Sequence, residues 1–383
     1  MNINPNKVKD ILGKNILADG FDPIIDLDKS HGSWIVDHRT GEKLLDMFSM
    51  YASGAVGYNH PYILENQELL GKLAINKTTL SDIYNIYYAD FIQTFNENAT
   101  TNYLNKVFFI DGGALAVENA LKTSFDWKKR KNLEKGLKEE GDKVIYFNQA
   151  FHGRSGYTLT LTNTSDPRKT MYYPQFPWFK VNNPYLSFPL NVDIINAVKK
   201  EEESVVSDIL KIINSNPNDI AAIIIEPIQG EGGDNHFRNE FMVELRNICD
   251  NYEIILIFDE VQTGVGITGK MWAHEHFSVK PDIISFGKKA QVCGMMAGDR
   301  IYNSDNNVFK ESSRINSTFG GNLVDMYRFK LILEIINNEN LLNNAKELGE
   351  YLLKQINVLT NEFPGYVINP RGVGLFCAFD LPS

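Results

Sequence analysis

Short apolar runs recur along the chain, and a longer helix-like stretch separates each from the next. The runs are KVFFI (106–110), KVIYF (143–147), AAIIIEP (221–227), EIILIF (253–258) and DIISF (282–286). Continuous runs of β-branched and aromatic residues are typical of strands buried on both faces, as in a parallel sheet covered by helices. The pattern therefore predicts a central, mostly parallel β-sheet.

The intervening stretches show the spacing of amphipathic helices. In ALAVENALKTSFDWKKR, the residues Val117, Leu121 and Phe125 lie four apart and would share one face of a helix. The segment NEFMVELRNICDNY repeats this spacing. Alternation of buried strands with such helices predicts a large, doubly wound α/β domain.

The C-terminal part has a different pattern, which predicts a second, smaller α/β domain. Residues 323–363 are interpreted as a long helical region, and RGVGLFCAFDL (371–381) as a strand. We therefore predict an N-terminal segment of the small domain at 1–56, the large domain at 57–325 and the rest of the small domain at 326–383.

The bulk composition limits the classes of function. The chain has 383 residues, which exceeds the length of one ordinary domain. Of these residues, 43% are hydrophobic and 22% are charged, which are typical values for globular proteins. The net charge of −10 argues against nucleic acid as the main partner, because phosphate contacts need clustered Lys and Arg. The most basic run, KKRKNLEKGLKEEGDK (128–143), mixes both signs and is interpreted as a solvated helix end and loop.

The cysteines and the apolar runs indicate a compartment. Cys249, Cys293 and Cys377 are far apart and lack metal-site spacing, so neither a disulfide framework nor a metal site is expected. No apolar run approaches the ~20 residues that a membrane span requires. We therefore predict a cytoplasmic protein without a membrane partner.

Chemically useful residues follow each predicted strand. Ligands of open α/β sheets bind at the carboxyl ends of the strands. In chain order, the runs are followed by a glycine turn (111–114), by NQAFHGRSG, by Glu226 with QGEGG, by Asp259 with Gln262, and by Lys288. A glycine turn, an aromatic residue with a histidine, two acids and a lysine would thus meet at one edge of the sheet. The sequence therefore predicts a ligand site there.

Single features of this edge allow two interpretations. The glycine turn fits a phosphate cradle or a tight strand-to-helix connection. Asp259 fits a helix cap or ion pair, or the partner of a protonated heterocyclic nitrogen. GVGITG (264–269) matches G-x-G-x-x-G, but DEVQT separates it from the strand and Asp282 precedes the next strand, so a nicotinamide site is not favoured.

In combination, these residues resemble the class III aminotransferases, which use pyridoxal 5'-phosphate (PLP) on the type I fold. The signature IFDEVQTGVGITG followed by PDIISFGK carries the resemblance, which runs from about residue 12 to the last residue. Within the class, the chain is most similar to the L-lysine 6-aminotransferases. The stretches similar to that subfamily include DGGALAVENALKTSFDWK, FHGRSGYTLTLTNT, IIIEPIQGEGGDNHFR, FGKKAQVCG and RINSTFGGNLVDM.

The resemblance implies roles in a PLP site. Lys288, six residues after Asp282, would form the Schiff base with the cofactor and shuttle a proton. Asp259 would pair with the pyridinium nitrogen, and Gln262 with the phenolic oxygen. The other implied cofactor contacts are Gly113 and Ala114 to the phosphate, Phe151 stacked on the ring, Glu226 near the cofactor, and Thr318 to the phosphate of a partner subunit.

The resemblance also implies a reaction. The ε-amino group of L-lysine would pass to 2-oxoglutarate in a ping-pong cycle, giving glutamate and 2-aminoadipate 6-semialdehyde, in a homodimer with sites at the subunit interface. Arg154 would bind the lysine α-carboxylate, because a planar guanidinium fits a carboxylate. Glu231 would shield a second arginine while lysine is bound, and Asn316 would contact the substrate.

Alternatives remain at this point. The chain fits another ω-aminotransferase, acting on ornithine or 4-aminobutyrate, or an inactive PLP-binding fragment. His152 fits a structural histidine and a cofactor contact equally. Of the adjacent lysines, Lys289 is interpreted as a neighbour of Lys288 that takes part in an ion pair of its own, because side chains along a strand alternate between faces and both cannot point at one cofactor carbon.

The end of the sequence adds one expectation. Members of the resembled family continue beyond GLFCAFDLPS with an RFRPP-like segment, whose arginine binds the carboxylate of glutamate and 2-oxoglutarate. This sequence ends at Ser383. We therefore expect a C-terminally truncated chain with an incomplete small domain and an apolar sheet edge.

Overall fold

The computed structural model describes residues 3–382. Its strands are β1 (Trp34–Val36), β2 (Lys43–Leu45), β3 (Lys106–Ile110), β4 (Lys143–Phe147), β5 (Phe179–Val181), β6 (Ile220–Ile225), β7 (Ile228–Gln229), β8 (Asn235–His236), β9 (Ile255–Asp259), β10 (Ile283–Phe286), β11 (Cys293–Ala297), β12 (Ile368–Val373) and β13 (Phe376–Asp380). Its helices are α1 (Val8–Leu12), α2 (Ser49–Ala52), α3 (Pro61–Glu65), α4 (Gln67–Ala74), α5 (Ile86–Asn98), α6 (Gly113–Glu134), α7 (Gly156–Leu161), α8 (Val192–Ser215), α9 (Asn239–Asn251), α10 (Asp299–Tyr302), α11 (Leu323–Asn338) and α12 (Leu341–Glu362). Short 3₁₀ turns lie at Pro5–Lys7, Pro167–Lys169, Ala273–His276 and Lys288–Ala290.

A seven-stranded sheet with the order β3-β11-β10-β9-β6-β4-β5 forms the centre of the fold. The pairs β10–β9, β9–β6, β6–β4 and β4–β5 are parallel. The strand β11 runs antiparallel to both of its neighbours. The mostly parallel sheet and the α/β class are thus confirmed, and each of the five predicted runs contains a strand.

Helices cover both faces of the sheet, which explains the continuous apolar runs. Adjacent residues of β6 belong to different hydrophobic clusters: Ile223 packs in the cluster of Phe241 on α9, and Ile224 in the cluster of Val117 on α6. Successive side chains of a strand point to opposite faces, so a strand between two helical layers needs an apolar residue at every position.

The C-terminal region differs from its prediction in one element. The stretch 371–381 is not one strand, because β12 and β13 form an antiparallel hairpin that turns at Gly374, where φ is +57°. The helical prediction for 323–363 holds, with a break at Asn340, where φ is +52°. A left-handed residue ends one helix and lets the chain start the next.

Two further sequence features have structural explanations. The run 128–143 is not solvated throughout, because Lys128 is 2% exposed and its Nζ donates to the backbone oxygens of Tyr252 and Glu253, at 3.2 and 2.9 Å. The GVGITG run forms turns, and its glycines allow α12 to approach closely. A Cβ added at Gly269 would lie 2.9 Å from the Cβ of Lys346.

Within residues 3–382, the helices are all too short or too polar to span a bilayer.

Candidate active site

A cavity of about 230 Å³ lies at the carboxyl ends of the central strands. It brings together all the predicted cofactor residues except Thr318. Its lining residues are Gly113, Ala114, Phe151, His152, Gly153, Glu226, Asp259, Val261, Gln262 and Lys288. Because β4, β6, β9 and β10 are parallel, the segments that follow them meet at one edge of the sheet.

Lys288 places an amine in this cavity. It begins a 3₁₀ turn after β10, with φ at +49°, and its Nζ donates to Oε1 of Gln262 at 2.9 Å. Burial lowers the pKa of the Lys288 amine, while the charges of Asp259 and Glu226 oppose that shift. A lowered pKa increases the neutral, nucleophilic fraction of the amine.

Asp259 is an anchored acid in the same cavity. It is the last residue of β9 and 4% exposed. Its Oδ2 lies 2.7 Å from Nδ1 of His152, and its Oδ1 accepts hydrogen bonds from the Ser285 hydroxyl and the Val261 amide, each at 3.0 Å. These three donors fix the orientation of the carboxylate. His152, interpreted in two ways from sequence, therefore contacts both the acid and the cavity.

Glu226 is a second buried acid, and it links β6 to the Phe151 loop. Its carboxylate accepts hydrogen bonds from the backbone amides of Phe151, at 2.9 Å, and Gly230, at 3.2 Å. Burial raises the pKa of Glu226 to about 7, with Asp259 adding to the shift and His152 opposing it. The charge of this carboxyl group therefore changes near neutral pH.

The glycine turn places a helix N-terminus at the cavity. The 22-residue helix α6 begins at Gly113, and Gly112 precedes it with φ at +105° and no side-chain cap. A Cβ added at Gly113 would lie 3.0 Å from Cγ1 of Val261, so a larger residue would crowd the cavity wall. Uncapped amide groups at the positive end of a helix can bind an anion.

The remaining predicted residues lie outside the cavity lining. Arg154 is exposed and makes neither hydrogen bonds nor ion pairs within residues 3–382. Glu231 forms an ion pair with Lys169, and its carboxylate accepts a 2.7 Å hydrogen bond from Thr164. Thr318 and Asn316 are exposed, so the interface role of Thr318 and the substrate role of Asn316 stay predictions.

Sequence reasoning missed some residues at the site and misplaced another. Ser285 is the polar residue between Ile284 and Phe286 in the DIISF run, and a hydroxyl between buried apolar neighbours was a usable signal. Lys169 gave none, because its contact with Glu231 depends on the loop after α7.

The ion-pair prediction for Lys289 is wrong: Lys289 is 3% exposed, and its Nζ donates to backbone oxygens of Gln262 and Ala52 at 2.6 and 3.2 Å. The two lysines diverge because they lie in a 3₁₀ turn, not because they alternate along a strand.

Comparison with known proteins identifies the family. The model of the family Aminotransferase class-III matches residues 17–383. An L-lysine-epsilon aminotransferase of Mycobacterium tuberculosis is 46% identical and covers 99% of this chain and 84% of its own length. The solved structure of a lysine aminotransferase from M. tuberculosis in the internal aldimine form has a TM-score of 0.96 at 46% identity, and covers 100% of this chain and 88% of its own. A mitochondrial 4-aminobutyrate aminotransferase of mouse is 31% identical over 93% of this chain and 74% of its own length.

The chain belongs to the class III aminotransferase family. The fold is that of an aminotransferase, and its cavity holds an amine, a buried acid and a helix N-terminus at the strand ends.

Proposed function

We propose that this aminotransferase uses PLP to transfer the ε-amino group of L-lysine to 2-oxoglutarate, giving glutamate and 2-aminoadipate 6-semialdehyde. The observation that carries the proposal is the meeting of Lys288 Nζ, the Asp259 carboxylate and the N-terminus of α6 in one cavity. The choice of lysine is supported by the 46% identity to a lysine-epsilon aminotransferase, against 31% to a 4-aminobutyrate aminotransferase.

The residues of the cavity fit PLP. Lys288 offers an amine for the aldehyde, Asp259 a buried carboxylate for the ring nitrogen, and α6 uncapped amides for the phosphate. Phe151 offers an aromatic face to the ring. When bound, PLP supplies an electron sink for the carbon that bears the substrate amine.

Lys288 would hold the cofactor and then move the proton. Burial favours the neutral Nζ, which can accept a proton from the amine-bearing carbon of the substrate and return it at the neighbouring position. The hydrogen bond to Gln262 orients the Nζ within the cavity. Orientation matters because proton transfer requires close, aligned donor and acceptor atoms.

Asp259 would keep the ring nitrogen protonated. Three hydrogen-bond donors hold its carboxylate in place, and a carboxylate in a buried site would pair with a facing N–H⁺ of the ring. The neighbouring Glu226 holds the Phe151 backbone in place. These contacts fix both the edge and the face of the ring.

The charged residues outside the cavity would select the substrates. Arg154 has a free guanidinium for the lysine α-carboxylate, so that the ε-amine can enter the cavity. Glu231 and Lys169 place an ion pair near Phe151, since Lys169 Nζ lies 5.8 Å from its ring centroid. We further propose a homodimer in the cytoplasm, in which Thr318 contacts the cofactor phosphate of the partner and Asn316 the substrate.

A substrate comparison tests the proposed function. The PLP-loaded protein is mixed with 2-oxoglutarate and, in separate reactions, L-lysine, ornithine or 4-aminobutyrate, and glutamate is measured. We expect glutamate with lysine at a kcat/KM at least about tenfold above the other donors, which corresponds to about 1.4 kcal/mol of discrimination. Faster turnover of ornithine or 4-aminobutyrate would refute the substrate assignment, and no turnover with any donor would refute the activity of the chain.

A further inference from the structure

Lys289, the neighbour of the candidate catalytic lysine, is a buried amine held by backbone oxygens. Its Nζ donates to the carbonyl oxygen of Gln262 at 2.6 Å and to that of Ala52 at 3.2 Å. Within residues 3–382 it forms no ion pair. Burial lowers its pKa to about 7, the charge of Lys288 adds to this shift, and Glu260 opposes it. A buried amine without a carboxylate partner is costly, so its position requires an explanation.

One of its two partners belongs to the site. The side chain of Gln262 accepts the hydrogen bond from Lys288 Nζ at 2.9 Å, while its main-chain oxygen accepts the one from Lys289. Gly230 confines the same side chain, because a Cβ added there would lie 2.5 Å from Cδ of Gln262. Gln262 is thus held from the main-chain side by Lys289 and from the side-chain side by Gly230.

The other partner belongs to an unusual segment. The short segment α2, Ser49–Ala52, is a single left-handed turn and not a right-handed helix, with φ between +49° and +62° at four consecutive non-glycine residues. Each left-handed residue costs roughly 1–2 kcal/mol, so surrounding contacts must hold the turn. Lys289 binds the Ala52 oxygen, and Gln291 Nε2 donates to the Ser53 oxygen at 3.1 Å. The loop that carries Lys288 therefore docks this turn.

We propose that Lys289 is a positioning residue of the active site, which fixes Gln262 against Lys288 and docks the left-handed turn at 49–52 onto the same loop. Its amine acts through these two carbonyl groups and does not touch the substrate or the cofactor. The first half of the proposal rests on the proposed PLP chemistry of Lys288 and Gln262, whereas the second half needs only the folded protein.

The chain contains a matched control for the test. Lys128 is likewise buried, donates to two backbone oxygens, and has its pKa lowered by burial to about 8. It does not line the cavity. Lys289→Met and Lys128→Met each leave two backbone carbonyl groups without their lysine donor, so both are expected to lower the midpoint of urea unfolding. Only Lys289→Met should also alter the active-site cavity.

The first readout is the PLP-loaded protein. Lys289→Met is expected to release PLP about tenfold faster than the wild type and to shift the pH midpoint of its visible absorbance band, while Lys128→Met changes neither. In a Gln262→Ala background, the effect of Lys289→Met on that midpoint should largely disappear, because Lys289 is proposed to act on Lys288 through the Gln262 side chain, which that background lacks. Lys289→Gln, which keeps a donor, should recover part of the wild-type behaviour and guards against a Met variant that fails to fold.

The second readout does not depend on PLP. Met50 and Tyr51 are exposed, so chymotrypsin can reach the turn once it undocks. Lys289→Met is expected to be cut there about tenfold faster than the wild type in the absence of PLP, and Lys128→Met at the wild-type rate. Unchanged PLP release, absorbance and cleavage in folded Lys289→Met, or equal changes in Lys128→Met, would overturn the proposal. If the substrate comparison refuted L-lysine as the amino donor, the expected results of both readouts would stay the same, so the two proposals can fail separately.

Discussion

Nδ1 of His152 lies 2.7 Å from Oδ2 of Asp259, and both side chains are buried at the candidate cofactor cavity. A second buried pair of the same kind lies elsewhere, where Nδ1 of His274 is 2.7 Å from Oε1 of Glu260. The first pair lines the cavity and the second does not. The chain thus provides its own comparison between a histidine beside a candidate functional acid and one beside an acid outside the cavity.

Replacing these histidines should separate the two roles. In His152→Phe, Asp259 loses a charge-assisted donor, and we expect the dissociation constant for PLP to rise about tenfold to a hundredfold. His274→Phe should lower the free energy of unfolding without changing PLP affinity in the folded protein. Equilibrium titration of both variants with PLP measures this. Equal losses of affinity would show that His152 acts only through stability.

Asp259 itself should be needed for the chemistry. Asp259→Asn keeps the shape but removes the negative charge that would face the ring nitrogen, so the rate of the half-reaction with L-lysine should fall at least about a hundredfold. Asp282 offers the control, since it is buried and does not line the cavity. Its Oδ2 accepts a hydrogen bond from Arg246 Nη1 at 2.9 Å. Asp282→Asn should destabilise the fold and leave the half-reaction rate of folded protein near wild type. Stopped-flow absorbance measures these half-reaction rates. A rate for Asp259→Asn within threefold of the wild type would contradict the assignment of Asp259 to the ring nitrogen.

Glu226 predicts a pH dependence of stability. Its folded-state pKa is raised from 4.5 to about 7, so between these values the folded protein binds more protons than the unfolded chain. The free energy of unfolding should therefore fall as pH rises from about 4.5 to 7, by up to about 3 kcal/mol from this group. Above pH 7 the difference stays constant.

The comparison with Glu226→Gln isolates that contribution, because His152 and Asp259 stay in place in both proteins. Urea unfolding without PLP, at several pH values, should show wild-type stability falling relative to the variant across this window. A difference that is independent of pH, or that grows in favour of the wild type, would show that the Glu226 carboxyl is not buried in this way.

The ion pair of Glu231 with Lys169 should affect the two substrates differently. The negative charge of Glu231 favours a cationic amine donor and opposes a dicarboxylate acceptor. Glu231→Gln should therefore raise KM for L-lysine and lower KM for 2-oxoglutarate, each a few-fold, as expected for a half-exposed charge. Glu240→Gln on α9 makes the same change in net charge at a carboxylate that pairs with Arg238 and not with Lys169, and it should alter neither KM. Parallel shifts of both KM values in Glu231→Gln would contradict this account.

The sheet, and the edge of the sheet at which the candidate site lies, could both be predicted from the sequence for one physical reason. Strands buried on both faces give apolar runs, and the first polar residues after each run must leave the core where the strand ends, as Asp259 and Lys288 do. The strand β11 was missed, because CGMMA lacks β-branched residues. The hairpin at Gly374 was predicted as a single strand, because its turn interrupts the apolar run by only two residues.

Contacts between distant segments were beyond the sequence. Lys289 reaches Ala52 across 237 positions, and Asp259 meets His152 across 107. Neither contact leaves a local pattern, because such contacts arise only when the sheet and the loops have assembled. The functional meaning of a buried polar residue therefore depended on the fold, whereas its presence at a strand end did not.

The position of the covalent lysine tests the central claim most directly. The PLP-loaded protein is reduced with borohydride, digested and mapped by mass spectrometry. We expect a phosphopyridoxyl label on Lys288 and none on Lys289, although both amines are largely buried and have lowered pKa values. A label on Lys289 or on another lysine, or PLP binding that leaves no label, would contradict the assignment of this cavity as the active site.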